Sequence, residues 1–560
     1  MRTQIEILEE ALKAAISRAI ASGTLNGAVP DAIKLDRPKD RDHGDYASSI
    51  ALQLAKPAGK NPREVAQIIA DQLSDVSDVS DVSNVSKVEI AGPGFINITL
   101  NRSSQAVLVQ TILNAKSDFG KGTALAGVKI NLEFISANPT GPLHLGHTRW
   151  AAVGDALGRV LTAAGAKVTR EFYINDRGNQ MDLFGQSVEA VALGNAVPDN
   201  GYQGEYIKDL AQEVVAQNSG IINLQGDERF VAFREAAYAL QLKDQQRVLG
   251  TFNTHFDVWF SERSLHEQGA VEHGMEKLRT QGHVFDVDGA VWLRTTDFGD
   301  DKDRVMTKSD GSLTYFASDT AYYINKRERG FDICIYMLGA DHHGYIGRLK
   351  ATAACAGDDP EYNIDVLIGQ LVKIMEGGEE VKLSKRAGTI ITLEELVEKV
   401  GVDAARYTLI RYPVDTPMVM DIDVLKRNTN ENPVYYVQYA HARIAAVLRN
   451  AQELGASLDL KDFDPAQLVH DRENELLGAL AEFPRVVASA AEFREPHRIA
   501  RYLEELAGTY HGFYNDCRVL PMGEEKLSAL HTARLLLCTA TKQVVHNGLD
   551  LLGVGAPERM

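Results

Sequence analysis

The feature that most constrains the fold is a strand–helix–strand pattern within residues 128–174. Residues 128–134 (VKINLEF) predict a buried strand, residues 147–164 predict a helix that Gly165 closes, and residues 167–174 (KVTREFYI) predict a second strand. Two strands joined by a helix form the right-handed crossover unit of parallel sheets. The sequence therefore predicts a Rossmann-like, nucleotide-binding core.

Two later segments extend the predicted sheet. Residues 334–339 predict a strand followed by a helix near 345–356, and residues 366–375 predict one strand followed by a polar loop. The stretch 190–300 between these units is richer in polar residues and helical patterns, so we interpret it as an insertion.

The segments on either side of this core differ from it in character. Residues 1–115 predict a small α+β domain with an amphipathic first helix, a helix near 61–73 and a pair of strands in 88–100. Long amphipathic stretches beyond residue 425 predict an all-helical domain. We therefore expect a multidomain α/β protein with domains at 1–115, 120–424 and 425–560.

Composition excludes several classes of protein. The chain has 560 residues, of which 44% are hydrophobic and 24% charged, as in ordinary globular proteins. It contains no apolar run long enough for a membrane span and no signal-peptide core, so we expect a cytoplasmic protein. Its four cysteines form no CxxC pair, so we expect no zinc. The net charge of −18 disfavours a polyanionic partner, but most of it lies between residues 120 and 425.

The segment 138–147 (NPTGPLHLGH) stands at the start of the first predicted crossover helix. A helix N-terminus offers N–H groups and a positive dipole end to an anion. His144 and His147 would face one side of its first turn and could donate hydrogen bonds to a phosphate in its transition state. Gly146 would let a flat ligand approach the backbone closely. A metal pair is the competing use of the histidines, although no third ligand is evident nearby.

The segment 382–388 (KLSKRAG) follows a predicted strand and a glycine pair. Lys382 and Lys385 could neutralise the charge that develops on a leaving pyrophosphate. Taken alone, each segment also fits a capped surface helix or a solvated loop. In this order on a parallel sheet, about 240 residues apart, they make a strong combination.

These two segments resemble the signatures of class I aminoacyl-tRNA synthetases. His144-Leu-Gly-His147 is similar to the HIGH signature, and 382–386 (KLSKR) is similar to KMSKS, with Leu and Arg replacing Met and the last Ser. The resemblance implies adenylate formation without a covalent enzyme intermediate, and ATP with Mg²⁺ as the substrate complex.

Further motifs narrow the resemblance to arginyl-tRNA synthetases of the bacterial type, over nearly the whole chain. The stretches that carry it are 43–47 (HGDYA), 92–97 (GPGFIN), 133–139 (EFISANP), 172–180 (FYINDRGNQ), 403–407 (DAARY) and 432–443 (NPVYYVQYAHAR). The resemblance implies ligation of L-arginine to tRNA(Arg) through an arginyl-adenylate, with bound tRNA required for activation. It favours a monomer.

The resemblance also implies individual roles. Glu133 and Asp319 would bind the guanidinium, with Tyr315 as a neutral acceptor, and carboxylates are what a planar guanidinium requires. Asn138 would hold the α-amino group. Tyr315 and Asp319 would share one face if their segment is helical. The catalytic set is His144, His147, Lys382 and Lys385, and we assign ATP to Gly141, Gly146, Asp341, His342 and Ser384.

In the C-terminal part we expect Tyr435, Tyr439 and Arg443 to contact tRNA, because aromatic side chains can stack on splayed bases. Helix core is the competing interpretation of this aromatic stripe. The resemblance further implies that the N-terminal domain contacts the tRNA elbow and that the C-terminal helices read the anticodon.

Three other readings remain. One is a class I synthetase for a different amino acid, such as cysteine; the cysteine enzyme would require a zinc thiolate site, which the cysteine spacing disfavours. A non-enzymatic relative would be expected to lose a signature histidine or lysine, and none is missing. A smaller nucleotidyltransferase would lack the N-terminal and all-helical parts.

Overall fold

The structure of the chain is a computed structural model that describes residues 4–38, 43–74, 85–100, 102–342, 344–381 and 391–560. At the N-terminal end, helices pack against an antiparallel four-stranded sheet around a separate core. Its elements are α1 (Gln4–Ala21), β1 (Leu35–Asp36), β2 (Tyr46–Ser48), α2 (Ile50–Ala58), α3 (Pro62–Ser74), β3 (Val85–Ala91) and β4 (Phe95–Leu100), with strand order β1-β2-β4-β3.

The predictions for this part are confirmed. Helix α1 buries Leu8, Leu12 and Ile16, which recur at helical spacing. The pair β3 and β4 is the predicted hairpin. Its turn contains Gly94, at φ 141°, where a Cβ atom would lie 2.9 Å from the backbone of Pro62.

The middle of the chain contains the parallel sheet. Its elements are α4 (Arg102–Ala115), β5 (Lys129–Glu133), α5 (Leu145–Ala163), β6 (Lys167–Ile174), α6 (Asn179–Ala192), α7 (Glu205–Gln217), α8 (Gly226–Thr251), β7 (Val258–Ser261), α9 (Glu262–Glu267), α10 (Ala270–Thr280), β8 (Val284–Val287), β9 (Ala290–Leu293), β10 (Arg304–Thr307), α11 (Tyr315–Glu328), β11 (Ile333–Gly339), α12 (Tyr345–Cys355), β12 (Ile364–Gly369), β13 (Val372–Glu376), β14 (Glu379–Glu380), α13 (Leu393–Val400), α14 (Val402–Ile410), β15 (Met418–Asp421) and α15 (Ile422–Leu425).

Five of these strands form one sheet in the order β12-β11-β5-β6-β7, and every pair is parallel. Strand β5 comes first in the chain, and its neighbours β6 and β11 continue the sheet in opposite directions. Such a switch point opens a crevice beyond the carboxyl ends of the strands. Helix α5 approaches β5 closely, because a Cβ atom on Gly154 would lie 2.4 Å from the Phe134 ring.

The interpretation of 190–300 as an insertion is only partly right. Helices α7 and α8 do lie there, but β7 pairs in parallel with β6 and is an edge strand of the central sheet. Strands β8, β9 and β10 form a separate antiparallel sheet in the order β10-β9-β8.

The single strand predicted over 366–375 is wrong. Strand β12 belongs to the central sheet, whereas β13 belongs to a small sheet of order β14-β13-β15. The chain leaves the central sheet at Gly369, where a Cβ atom would lie 2.5 Å from the Trp150 ring. Buried Arg149 then holds the departing chain by donating to the Gln370, Pro413 and Thr416 carbonyls.

The C-terminal part is helical, and the predicted fold class is confirmed. Its helices are α16 (Pro433–Glu453), α17 (Asp471–Ala481), α18 (Phe483–Glu492), α19 (His497–Asp516) and α20 (Ala529–Leu551). They share one continuous core with the central sheet. Buried Arg406 spans the junction, with Nη2 2.7 Å from Asp155 Oδ2 and 3.0 Å from the Leu552 carbonyl. The domain boundaries at 1–115, 120–424 and 425–560 stay a prediction.

Within the described part of the chain, the helices are too short or too polar to cross a bilayer.

Candidate active site at the carboxyl edge of the parallel sheet

The two predicted histidines cap α5 reciprocally. The Gly146 N–H donates to His144 Nδ1 at 3.1 Å, and the His144 N–H donates to His147 Nδ1 at 3.3 Å. A neutral imidazole whose Nδ1 accepts a hydrogen bond carries its proton on Nε2. The ring centres are 4.0 Å apart. Both Nε2–H donors are therefore held close together at the positive end of the helix dipole.

The predicted lysine segment contains Lys382, Ser384 and Lys385, all of which lie outside the described residues. The chain that follows it is described and contacts the histidine segment. The Leu145 N–H donates to the Ile391 carbonyl at 3.1 Å, and the Leu393 N–H donates to the Leu143 carbonyl at 2.9 Å. The backbone therefore pairs 143–145 with the residues directly after the lysine segment.

The chain turns sharply after β5. Ile135 and Ser136 both have left-handed backbone, at φ 69° and 44°. Two successive residues with side chains, one of them β-branched, are strained in this region, and such strain is often retained at functional sites. The Ser136 hydroxyl donates to Glu133 Oε1 at 3.0 Å and accepts from the Tyr173 N–H at 3.2 Å. These bonds hold the turn at the switch point.

Asn138 lies in the loop that leads from this turn to α5. Its Oδ1 accepts from Asn175 Nδ2 at 2.9 Å, and its Nδ2 donates to Gln180 Oε1 at 2.6 Å. Buried Gln245 donates to the carbonyls of Asn138 and Gly141, at 3.1 and 2.9 Å. The loop is therefore fixed from both its side-chain and its backbone groups.

Tyr315 and Asp319 lie on the first turns of α11, so the helical spacing expected for them is confirmed. Tyr315 is 79% exposed. Burial raises the pKa of the Asp319 carboxyl to about 6, and the charge of Glu133 adds to the rise. The Tyr345 hydroxyl, which donates to Asp319 Oδ2 at 3.2 Å, partly opposes that shift.

Glu262 is a site residue that sequence reasoning missed. It begins α9 directly after β7 and is 5% exposed. Burial raises its pKa to about 7, and the charges of Asp319 and Asp176 add to the rise. Among the described residues, no hydrogen-bond or ion-pair partner is found for its carboxylate. Buried Glu262 and partly buried Asp319 thus form an acidic pair that would be stabilised by a cationic ligand.

Asp176 positions Glu262 without facing the ligand itself. Its carboxylate accepts from the Ser261 hydroxyl at 2.6 Å, the Arg263 N–H at 3.1 Å and the Tyr238 hydroxyl at 3.2 Å. These bonds fix the strand end and the first turn of α9. A cavity of 260 Å³ adjoins this turn, with Asp176, Arg177, Arg263 and His266 among its walls.

Glu133, which the resemblance placed in the arginine pocket, already has an internal cation. Lys326 Nζ donates to Glu133 Oε2 at 2.5 Å, and Lys326 is fully buried. The sequence reasoning missed this pair, because 193 residues separate its members. The contact favours a supporting role for Glu133 over direct binding of a substrate guanidinium.

The remaining candidates for ATP lie at the same edge of the sheet. Asp341 and His342 form a short turn directly after β11, with His342 Nε2 3.4 Å from Asp341 Oδ2. A Cβ atom on Gly146 would lie 3.0 Å from the His144 ring, and one on Gly141 would lie 3.3 Å from the Tyr206 hydroxyl. Both glycines are therefore in close contact with a neighbouring side chain, which would have to move to accommodate a larger residue.

The predicted tRNA residues lie in an aromatic cluster on α16 and α19. Tyr435 and Tyr439 have ring centres 6.1 Å apart at 13°, and the His511 ring lies 6.0 Å from that of Tyr439. The Arg443 guanidinium lies 4.2 Å from the ring centre of Tyr514. Sequence reasoning missed His511 and Tyr514, because α19 is distant in the chain.

The described residues contain no group of three or more His, Cys, Asp or Glu side chains arranged to hold a metal ion. The four cysteines are buried and unbridged.

Three family models match consecutive parts of the chain. "Arginyl tRNA synthetase N terminal domain" matches residues 6–100, "tRNA synthetases class I (R), catalytic domain" matches 108–442, and "DALR anticodon binding domain" matches 437–560. Together they cover the N-terminal unit, the parallel sheet and the helical part.

Similar proteins have the same overall organisation. The arginine–tRNA ligase of Paenarthrobacter aurescens (strain TC1) is 54% identical over 558 residues, covering 99% of this chain and 100% of that protein. That of Frankia alni is 54% identical over 553 residues, covering 99% of each. Among solved structures, arginyl-tRNA synthetase from Thermus thermophilus has a TM-score of 0.76 at 22% identity and covers 99% of each chain. The Plasmodium falciparum enzyme has a TM-score of 0.73 at 16% identity, covering 99% of this chain and 98% of that one.

Proposed function

The chain belongs to the arginyl-tRNA synthetases, and from that membership we propose which of its residues perform the reaction. The reaction itself is the ATP-dependent attachment of arginine to tRNA(Arg), carried out by a class I synthetase. We propose that it proceeds through an arginyl-adenylate. The residue roles below carry that proposal.

The arginine side chain binds between Glu262 and Asp319, with the Tyr315 hydroxyl beside them. The observation that carries this assignment is the acidic pair itself: Glu262 is buried, Asp319 is partly buried, and the pKa of each carboxyl is raised although Arg177 acts on the first and Arg348 on the second. A planar guanidinium carries N–H donors along more than one of its edges, so it can bridge two carboxylates. Glu133 supports the pocket without binding the guanidinium itself, because Lys326 already neutralises its charge. Asn138, fixed by Asn175 and Gln180, binds the α-amino group.

Activation begins when a carboxylate oxygen of arginine forms a bond to the α-phosphorus of ATP. The bond from that phosphorus to the bridging oxygen breaks, and pyrophosphate leaves with the bonding electrons. No general base is needed, because the arginine carboxylate is ionised at neutral pH. The Nε2–H groups of His144 and His147 stabilise the transition state. Lys382 and Lys385 take the developing charge of pyrophosphate, and the pairing of 391–393 with 143–145 supports their approach to the histidines.

ATP enters as its Mg²⁺ complex along the switch-point crevice. Gly141, Gly146, Asp341, His342 and Ser384 form its subsite, because those of them that are described lie at the carboxyl edge of β5 and β11. The metal belongs to the substrate.

Transfer follows when the 2′- or 3′-hydroxyl oxygen of the terminal adenosine attacks the arginyl carbonyl carbon. The bond to the adenylate oxygen breaks, and AMP leaves. Tyr435, Tyr439 and Arg443 contact the anticodon, supported by the aromatic cluster that they form with His511 and Tyr514. The family resemblance supports three further proposals: activation requires bound tRNA, the N-terminal unit contacts the tRNA elbow, and the protein is a cytoplasmic monomer.

The experiment that tests this function is ATP–pyrophosphate exchange with each of the twenty amino acids, with and without total tRNA. We expect exchange with arginine alone, and only when tRNA is present. Exchange with a different amino acid would contradict the pocket but not the class I chemistry. Exchange without tRNA would contradict only the tRNA requirement.

Two variants test the pocket separately. Glu262→Gln and Asp319→Asn should each raise the KM for arginine at least 30-fold, which corresponds to about 2 kcal/mol for one charge-assisted contact. Both should leave the KM for ATP within about two-fold. Glu276→Gln, an exposed glutamate on the next helix α10, is the matched control and should behave as wild type.

A further inference from the structure

The helix that carries Tyr315 and Asp319 also carries a buried ammonium. Tyr315, Asp319, Tyr322 and Lys326 lie at positions 1, 5, 8 and 12 of α11, so they form one stripe along the helix. The stripe runs from exposed Tyr315 at one end to fully buried Lys326 at the other. The acidic side chain proposed to bind arginine and the lysine are therefore on the same face, two turns apart.

The surroundings of Lys326 account for its charge. Nζ lies 2.5 Å from Glu133 Oε2 and 4.2 and 3.7 Å from the ring centres of Tyr322 and Tyr336. A carboxylate and two ring faces can hold an ammonium away from water. Glu171 also contributes, but it is occupied by Arg329 at 2.6 Å and by the Tyr322 hydroxyl. The lysine is therefore matched specifically to Glu133.

Glu133 lies at the carboxyl end of β5, close enough for its charge to act together with the charges of the pocket. All four of the nearby acids raise the pKa of the Tyr173 hydroxyl: Glu262, Asp319, Glu133 and Asp176. The Asp176 carboxylate accepts hydrogen bonds from Ser261 and Arg263, and the Glu133 carboxylate accepts them from Lys326 and Ser136. Of these four acids, Glu262 and Asp319 form no ion pair among the described residues, although Arg177 acts on Glu262 and Arg348 on Asp319 from a greater distance.

Resting on the proposed pocket, we propose that Lys326 is a positioning residue that limits that pocket to the two uncompensated carboxylates that one guanidinium can bridge. It neutralises Glu133, so that two carboxylates and not three await the substrate. It never touches arginine. Its effect passes through Glu133 to Asp319 and Glu262.

The physical reason is that like charges disfavour one another's ionised forms. Without the ammonium, the uncompensated charge of Glu133 would favour the protonated form of Asp319, which cannot accept two N–H donors. Without Glu133, the buried ammonium would itself repel the substrate guanidinium. Either single loss therefore harms arginine binding, whereas loss of both restores the charge balance.

The pH dependence of arginine binding should depend on the charged and titratable groups that surround Asp319, Glu262 and Lys326. Asp319 is faced by Tyr345 and Arg348 of α12 and by Glu133 of β5, and Glu262 is faced by Asp319, Asp176 and Arg177. Lys326 is faced by the acids and rings Glu133, Glu171, Tyr322 and Tyr336, and by Cys334.

The test is a double-mutant cycle in the full chain with tRNA(Arg) present. Lys326→Met, Glu133→Gln and the double variant are compared with wild type by arginine KM and kcat from pH 6 to 8.5, with the folding of each checked by circular dichroism. For a rise of one unit in the pKa of Asp319, we expect Lys326→Met to raise the arginine KM about five-fold at pH 6 and about two-fold at pH 7. The KM should recover as the pH rises. Glu133→Gln should also raise it at pH 6, and the double variant should return there to within about two-fold of wild type.

The cycle can overturn the proposal in two ways. A Lys326→Met enzyme with the wild-type KM and pH profile would remove any role for the lysine. A double variant as impaired as Lys326→Met would show that the lysine only fills space. If Lys326→Met does not fold, Glu133→Gln and the double variant still decide, because recovery in the double variant is required.

Two further variants separate this inference from the pocket on which it depends. Glu262→Gln with an unchanged arginine KM would refute the pocket itself, whereas an impaired Glu262→Gln beside a normal Lys326→Met would refute only the inference. The matched control is Lys277→Met. Lys277 of α10 pairs at 3.5 Å with Glu328 of α11, the helix that carries Lys326. Because Lys277 is partly exposed, its loss should change neither the KM for arginine nor the KM for ATP.

Discussion

Arginine binding should weaken steeply as the pH falls from 8 to 6. In the empty pocket the pKa of Glu262 is raised to about 7 and that of Asp319 to about 6, in both cases mainly by burial. Only the ionised form of a carboxyl offers both oxygens as acceptors and a negative charge to a guanidinium. The guanidinium itself stays protonated throughout this range. Protonation of the pocket therefore competes directly with arginine.

The magnitude follows from the two pKa values. If the groups titrate independently, both are ionised in about 5% of molecules at pH 6 and in about 90% at pH 8. The dissociation constant for arginine should thus fall about 20-fold between these pH values. Glu262→Gln leaves only Asp319 to titrate, so the change should shrink to about two-fold, whereas Asp319→Asn should keep about ten-fold.

Isothermal titration calorimetry of arginine into the tRNA-bound chain measures these constants. Repeating the titrations in buffers of different ionisation enthalpy counts the protons released on binding. ATP titrated over the same range is the control for general effects of pH. An arginine affinity that does not change between pH 6 and 8, or a Glu262→Gln variant that keeps the full 20-fold change, would refute the assignment of these carboxyls.

Three further variants test other parts of the structure. Glu262→Gln should raise the unfolding free energy at pH 8 by about 3 kcal/mol in urea titrations, but by little at pH 4.5. The reason is that the pKa of Glu262 is higher in the folded than in the unfolded chain, so its ionised form destabilises the fold only as the pH rises above the unfolded-state pKa. His144→Asn keeps a helix-capping acceptor but loses the Nε2 donor, so kcat for pyrophosphate exchange should fall about 10²–10³-fold with an unchanged melting temperature; an intact kcat would contradict the role of that donor. Tyr439→Ala should weaken tRNA binding about ten-fold in filter-binding assays, whereas Tyr362→Ala, at a more exposed tyrosine, should not. Equal effects of the two substitutions would show a non-specific loss.

The local parts of the fold could be predicted because local rules decide them. Helix α5 begins at a capping residue and strand β6 has the predicted bounds 167–174, since apolar periodicity and flanking glycine determine both. The histidine pair was predictable for the same reason, as it lies within one helical turn.

The parts that failed depend on contacts between distant segments. Glu262 was missed because only the parallel pairing of β7 with β6 brings it beside Asp319, and no local pattern encodes a strand partner. An acidic residue two positions after the apolar run 258–260 was the available signal, since Asp176 likewise stands two positions after the end of β6. Segment 366–375 divides because Trp150 and Arg149, more than 200 residues earlier, direct the chain out of the sheet at Gly369.

The pairing of 143–145 with 391–393 has a consequence for recombination between relatives. Its two hydrogen bonds join main-chain groups only, so they place no demand on the side chains that either parent would contribute. A chimera with the histidine segment of one parent and the lysine segment of another should therefore keep both halves of the catalytic machinery in register. The contact between Arg406 and Asp155, which does depend on identity at both ends, is where incompatible parents should fail first.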